Sequence, residues 1–256
     1  MNAATTALAL AEDAPDAFEY WWSVKGEWVE PPNARRDGWS GMLRVRHHGR
    51  LVYVKRQCNH LCRTLRHPLG WPTASRERFY LDRLCELGLR SPSPLFHGAI
   101  RGGNGVKSLL VTEELAGFLP LSAQTGLPWA QRARLARAVG RVLATLHRAR
   151  LQHGCLYDKH IMVRWRDDTP EIALIDLEKM RSRLTGRAAA RHDLAQLGRH
   201  QKIWSAEDWC LLELSHAAAL AGNEIDRDLR DHSGDDRRST RNEHDNKRWL
   251  RESGSV

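Results

Sequence analysis

Residues 153–180, HGCLYDKHIMVRWRDDTPEIALIDLEKM, restrict the possible folds of this chain more than any other stretch. Residues 161–165 are short, apolar and partly β-branched, 166–170 carry Asp-Asp-Thr-Pro, and 171–176 form a second short apolar run. Two such runs around a polar turn predict a β-hairpin. The hairpin brings the polar loop 153–160 close to Asp176, which ends the second run. That juxtaposition suits a divalent cation beside phosphate, because Mg2+ takes oxygen ligands, commonly one or two carboxylates together with phosphate oxygens.

Upstream, residues 42–46 and 51–55 read as strands around a turn at 47–50. Alternation in LVYVK sets Val52 and Val54 on one face and Leu51, Tyr53 and Lys55 on the other. Read alone, Lys55 is a surface strand lysine. The stretch 18–29, with Trp21, Trp22 and Trp28, predicts a strand, and 36–41 predicts a turn containing Gly38 and Gly41. Residues 73–87 predict a helix capped by Thr73 or Ser75 and ended by Gly88, with Glu77 in its first turns. Residues 94–100 and 107–113 flank a Gly-Gly-Asn-Gly hairpin turn. A helix over 129–150 follows Pro128, with Leu135, Val139, Val142, Leu143 and Leu146 as its apolar stripe. Residues 181–191 read as a basic linker, 192–197 as a helix, and Ser205 to Asp208 as the capping pattern of a helix reaching Ala221.

Residues 56–72 read as a basic, irregular loop. Its Cys58, His60, Cys62 and His67 lack the two ligand pairs of a zinc site. Arg56, Arg63 and Arg66 suit a phosphate, a membrane face or plain solvent. The formal charge of +9 and pI near 9.7 come mostly from arginine, whose planar fork fits phosphate. Nucleic acid, anionic lipid and a phosphorylated substrate all meet that charge, but no spaced base-reading motif marks a specific nucleic-acid binder. With 41% hydrophobic and 28% charged residues the chain can build a soluble core, and five cysteines in an odd count point to a reducing, cytoplasmic setting. Composition assigns 1–17 to a flexible leader and 227–256 to a disordered tail.

The runs H-G-C-L-Y-D-K-H-I-M-V and L-I-D-L-E resemble the catalytic and metal-binding loops of the protein-kinase-like superfamily. More narrowly, they resemble the lipopolysaccharide core kinase (InaA/WaaP) family, over roughly residues 18–220. The resemblance implies an α+β, bilobal, protein-kinase-like fold, with an antiparallel-sheet N-lobe over 18–118 and a mainly helical C-lobe over 119–226. It implies ATP and Mg2+. It places Gly38 and Gly41 in a phosphate-covering loop, Lys55 on the phosphates and Glu77 as the partner of Lys55. Glu113 and Leu115 would lie at the adenine hinge, Asp176 on the metal with Glu178 assisting, and Asp193 against the catalytic-loop backbone.

One position departs from the kinase pattern H-R-D-x-x-x-x-N. His153 takes the histidine place, Gly154 the arginine, Cys155 the aspartate and His160 the asparagine. A thiol is a poor replacement for a carboxylate base. Asp158, three residues on, can take that role, and His160 can accept a hydrogen bond or ligate metal. Two readings stay open: Asp158 replaces the base, or the protein binds nucleotide as a non-catalytic regulator. The expected acceptor is a heptose or Kdo hydroxyl of the lipopolysaccharide core or another phosphorylated sugar. The expected location is cytoplasmic, with the 56–66 segment against the anionic inner-membrane surface.

Overall fold

The computed structural model describes residues 17–35, 38–103 and 105–222. The expectations for a leader and a tail therefore lie outside the described residues, save Ala17, which opens a helix. That helix, α1 (Ala17–Ser23), replaces the first half of the strand predicted over 18–29, whose end at Trp28 and Val29 does lie in a strand. Ala17, Phe18 and Trp21 fall on one face at helical spacing and are buried, so the aromatic cluster packs as a helix on a sheet.

The sheet is antiparallel and five-stranded. Its members are β1 (Glu27–Arg35), β2 (Gly38–His47), β3 (Arg50–Cys58), and later β6 (Pro94–Gly102) and β7 (Gly105–Glu113), in the order β1-β2-β3-β7-β6. Period-two alternation divides its faces. Val52 and Val54 of β3 join Leu109 and Val111 of β7 under α1, while Leu110 faces a second core. The expected turn at 36–41 is corrected over 38–41, its first two positions lying outside the described residues: β2 begins at Gly38, and Gly41 is mid-strand opposite Arg56. A Cβ on Gly41 would lie 2.7 Å from the Trp28 ring, so this glycine lets β1 pack close.

The expected irregular loop at 56–72 is corrected too. β3 runs on to Cys58, and β4 (Leu61–Thr64) pairs with β5 (His67–Pro72) as a projecting hairpin. Thr64 Oγ1 accepts the His67 N–H at 3.1 Å, closing the turn. From β5 the chain enters α2 (Thr73–Glu86), which lays Ala74, Tyr80, Leu81 and Leu84 into the second core.

The rest of that core is mainly helical. β8 (Leu119–Pro120) joins β10 (Ile161–Arg166) and β11 (Thr169–Leu174) in a three-stranded sheet, which includes the hairpin read from sequence. α3 (Trp129–Arg148) buries Leu135, Val139, Leu143 and Leu146. Burying each such leucine stabilises the fold by about 2 kcal/mol. β9 (Leu151–Gln152) pairs with β12 (Arg181–Ser182), and α4 (Gly186–His200) and α5 (Ala206–Leu220) complete the layer. The expected basic linker is largely helix, because Thr185 accepts the Ala188 N–H at 3.1 Å and caps the run of alanines behind it. α5 opens with the anticipated capping box of Ser205 and Asp208. Gly140 lets α3 and α5 approach closely, since a Cβ there would lie 2.5 Å from the Leu212 carbonyl oxygen. Among the described residues no helix is long and apolar enough to cross a membrane.

Candidate active site

A cavity of about 920 Å³ lies where the five-stranded sheet meets the loops around β10 and β11. β1 and β2 overhang it through Glu30, Pro31 and Met42, β3 contributes Tyr53 and Lys55, and residues 113–115 close one side. Opposite them stand Cys155, Tyr157, Lys159, His160, Asp176 and Glu178.

Lys55 is the charged centre of the cavity. Its Nζ donates to Glu77 Oε2 at 2.7 Å and to Glu178 Oε2 at 3.1 Å. Burial opposes the ammonium, but Glu77 and Glu178, with Asp176 behind them, outweigh it and raise the Lys55 pKa. Burial lifts the Glu77 carboxyl above the ordinary carboxylate range against the pull of Lys55. For Glu178 burial also acts upward, yet the contact with Lys55 prevails and its pKa is lowered. Three carboxylates thus gather around the Lys55 ammonium, a setting rich in the oxygen donors a divalent cation takes.

The neighbouring residue ties the two sides of the cavity together. Arg76 Nε donates to the Met180 carbonyl at 3.0 Å, across from the first turn of α2.

The loop after β9 is built on buried polar contacts. Asp193 is fully buried and accepts the backbone N–H groups of His153 at 2.6 Å and Gly154 at 3.0 Å. His147 Nε2 donates to the same carboxylate at 3.2 Å, and His147 Nδ1 meets His216 Nε2 at 2.8 Å. Burial works against the Asp193 charge, but these hydrogen bonds outweigh it and hold the carboxyl below its usual range. Gly154 has φ +77, and a Cβ there would lie 2.7 Å from the Lys179 carbonyl oxygen, so a side chain at this position is excluded twice.

His153 lies off the cavity wall, behind the residue that precedes Asp176. It is fully buried, its Nε2 donates to the Ile175 carbonyl at 3.0 Å, and burial lowers its pKa. The chain next to Ile175 is Asp176, held in the left-handed region at φ 60 and ψ 60. That conformation is tolerated by aspartate and asparagine and strained for most other residues. Asp176 Oδ2 lies 3.4 Å from His160 Nε2. Burial, then Asp176, push the Cys155 thiol pKa up.

Residues 19–214 match the model of the lipopolysaccharide kinase (Kdo/WaaP) family. The chain belongs to this family. Protein InaA of Escherichia coli (strain K12) is 37% identical to it over 200 residues, which are 76% of this chain and 92% of InaA. A solved structure, WaaP in complex with acyl carrier protein, superposes with a TM-score of 0.61 at 24% identity, covering 86% of this chain and 88% of that one. Membership supports a kinase-type phosphotransferase, and the WaaP superposition supports a kinase-like fold.

Against this family background, the structure brings Lys55, Glu77, Glu113, Leu115, His160, Asp176 and Glu178 to one cavity. It does not bring Asp158 to that wall. Asp158 begins a single 3-10 turn, and its Oδ1 accepts the Lys159 N–H at 2.8 Å. Gly38 and Gly41 lie in β2, outside the wall, although Ser40 and Met42 of the same strand line it. Cys58, His60, Cys62 and His67 form no metal-ligating group among the described residues. Sequence reasoning missed Arg76 as a clamp, and it missed His147 and His216 behind Asp193. An arginine beside Glu77 carried no signal, and the two histidines are far apart in the chain.

Proposed function

We propose that this chain is an ATP-dependent phosphotransferase that phosphorylates a sugar hydroxyl of the lipopolysaccharide core, a heptose or Kdo. The observation that carries the reading is Lys55 Nζ held 2.7 Å from Glu77 and 3.1 Å from Glu178, two residues beyond Asp176, at one cavity. Phosphoryl transfer needs charge neutralisation and in-line placement more than covalent help from the protein. In a bilobal arrangement, Lys55 holds the phosphates from the sheet side, and Glu113 to Leu115 face the adenine. The carboxylate oxygens suit a magnesium ion: Asp176 would hold it with Glu178 assisting, and it would neutralise charge on the phosphates. The sugar hydroxyl attacks the γ-phosphorus, ADP leaves, and the hydroxyl proton passes to His160 or to solvent.

The same surface supports a place on an anionic membrane. Leu65 is 104% exposed and Leu69 84% exposed on the β4–β5 hairpin, with Arg63 and Arg66 beside them. No acidic residue occurs between Gly38 and Arg76. Exposed leucines with neighbouring arginines suit the interface of a bilayer with negative headgroups.

The test is ATP turnover with Mg2+ against a panel of core oligosaccharides. Asp176→Asn, which preserves the left-handed backbone, abolishes turnover, whereas Asp158→Ala retains most of it. Full activity in Asp176→Asn rejects the assignment. Cys155 in the carboxylate position favours the second reading, a non-catalytic nucleotide-binding regulator, and nucleotide binding without transfer to any acceptor would select it.

A further inference from the structure

Three side chains of different chemistry converge on one point of the cavity wall. A Cys155 sulfur, a His160 ring nitrogen and an Asp176 carboxylate oxygen all lie within 4.8 Å of one another. We propose that these three residues form a binding site for a borderline-soft divalent cation of the zinc type. The inference builds on the reading of this cavity as cation-holding but does not require that phosphoryl transfer occurs.

The donor set carries the choice of metal. Magnesium prefers six oxygens, whereas thiolate and imidazole together with one carboxylate suit zinc. Zinc bonds of about 2.0–2.3 Å in a tetrahedron separate ligand atoms by roughly 3.3–3.8 Å. His160 Nε2 and Asp176 Oδ2 stand 3.4 Å apart. Three protein ligands on a cavity wall leave the fourth position facing the cavity, the arrangement of zinc sites that keep an exchangeable ligand.

The hydrogen bonding around His160 points the same way. Its Nδ1 lies 2.7 Å from the Cys155 carbonyl oxygen. A carbonyl only accepts, so Nδ1 carries the hydrogen. Nε2 is then the ring nitrogen turned toward Asp176, at 3.4 Å from its carboxylate. An outer hydrogen bond from the second ring nitrogen to a backbone carbonyl is the usual support of a metal-bound histidine.

The site is also held in place before any ion arrives. Cys155 is 6% exposed and His160 8% exposed. Asp193 grips the backbone of His153 and Gly154 just before Cys155, and His153 fastens the carbonyl just before Asp176. Ligands fixed by such contacts lose little freedom on binding. Loading forms a metal–sulfur bond and releases the Cys155 thiol proton to buffer.

The test uses the full-length, metal-stripped protein with Co2+ alone and then Zn2+ alone, with no nucleotide or acceptor present. Wild type should show a near-ultraviolet sulfur-to-cobalt charge-transfer band and bind a single Zn2+ in competition with a chelating dye. Cys155→Ser should lose the band and weaken Zn2+ binding at least about tenfold, and His160→Gln should weaken it similarly. Cys58→Ser and Cys62→Ser should keep both signals. Absence of the band in wild type, its survival in Cys155→Ser, or unchanged Zn2+ affinity in a folded Cys155→Ser overturns the proposal. A chain that binds Zn2+ through Cys155 but transfers no phosphate leaves this inference standing and defeats only the kinase reading.

Discussion

Replacing Lys55 with methionine removes the one ammonium shared by Glu77, Glu178 and Asp176. At an effective dielectric of ~20, a unit pair at the 2.7 Å of Lys55 and Glu77 is worth about 6 kcal/mol before desolvation. Breaking a buried pair on one side costs about 3–5 kcal/mol. Glu77 has an escape, because it can take a proton. Its ordinary pKa is 4.5, so neutralising it at pH 7 costs about 3.4 kcal/mol, at about 1.4 kcal/mol per unit. The Glu77 share of the penalty at pH 7 is therefore capped at about 3 kcal/mol. Without the lysine the folded-state pKa of Glu77 rises further above its unfolded value. Stability is then greatest at low pH and is lost as pH rises through 4.5 toward the folded value. Urea unfolding of wild type and Lys55→Met at pH 7, 6 and 5 should show the difference shrinking by about 1 kcal/mol per unit. Lys55→Met combined with Glu77→Gln should recover most of the stability and none of the turnover. A deficit that stays constant or grows in acid refutes the reasoning.

The buried polar network and the hairpin give three further expectations. Asp193→Asn turns an NH2 group toward the N–H donors of the 153–154 backbone and should cost about 2–3 kcal/mol in urea unfolding, with slower turnover. His216 is held at a pKa of about 4, down from 6.5, by burial and by His147. The unfolded chain takes up that proton between those values while the native chain does not, so stability is full above about 6.5 and falls toward pH 4. The loss is on the order of 1–3 kcal/mol, and unfolding of His216→Gln should show a shallower acid slope than wild type. Leu65→Glu with Leu69→Glu should abolish co-sedimentation with anionic vesicles and leave ATP turnover on soluble oligosaccharide unchanged; persistent sedimentation rejects the hairpin as the contact.

What the sequence disclosed follows from how local each signal is. β3, β7, α3 and α5 were legible because alternation, an apolar stripe and a capping box are written within single segments. α1 was misread because seven residues crowded with aromatic side chains carry strand propensity, and only the sheet beneath them decides the helix. The β4–β5 hairpin escaped because it is short and largely exposed, with Thr64 closing its turn and no apolar face to mark it. At the site, Lys55, Glu77 and Asp176 were readable as residue types in known contexts. The contact of Lys55 with Glu178 spans 123 positions and has no local trace. Asp158 was favoured by spacing alone, and spacing does not say which side of a 3-10 turn faces the cavity.

Arg76 and Glu77 are consecutive residues with opposite duties. One fastens α2 to the carbonyl of Met180, and the other fastens it to the β3 lysine. Withdrawing this helix would break both attachments together, so the place of α2 beside the cavity is fixed by two separate anchors at once.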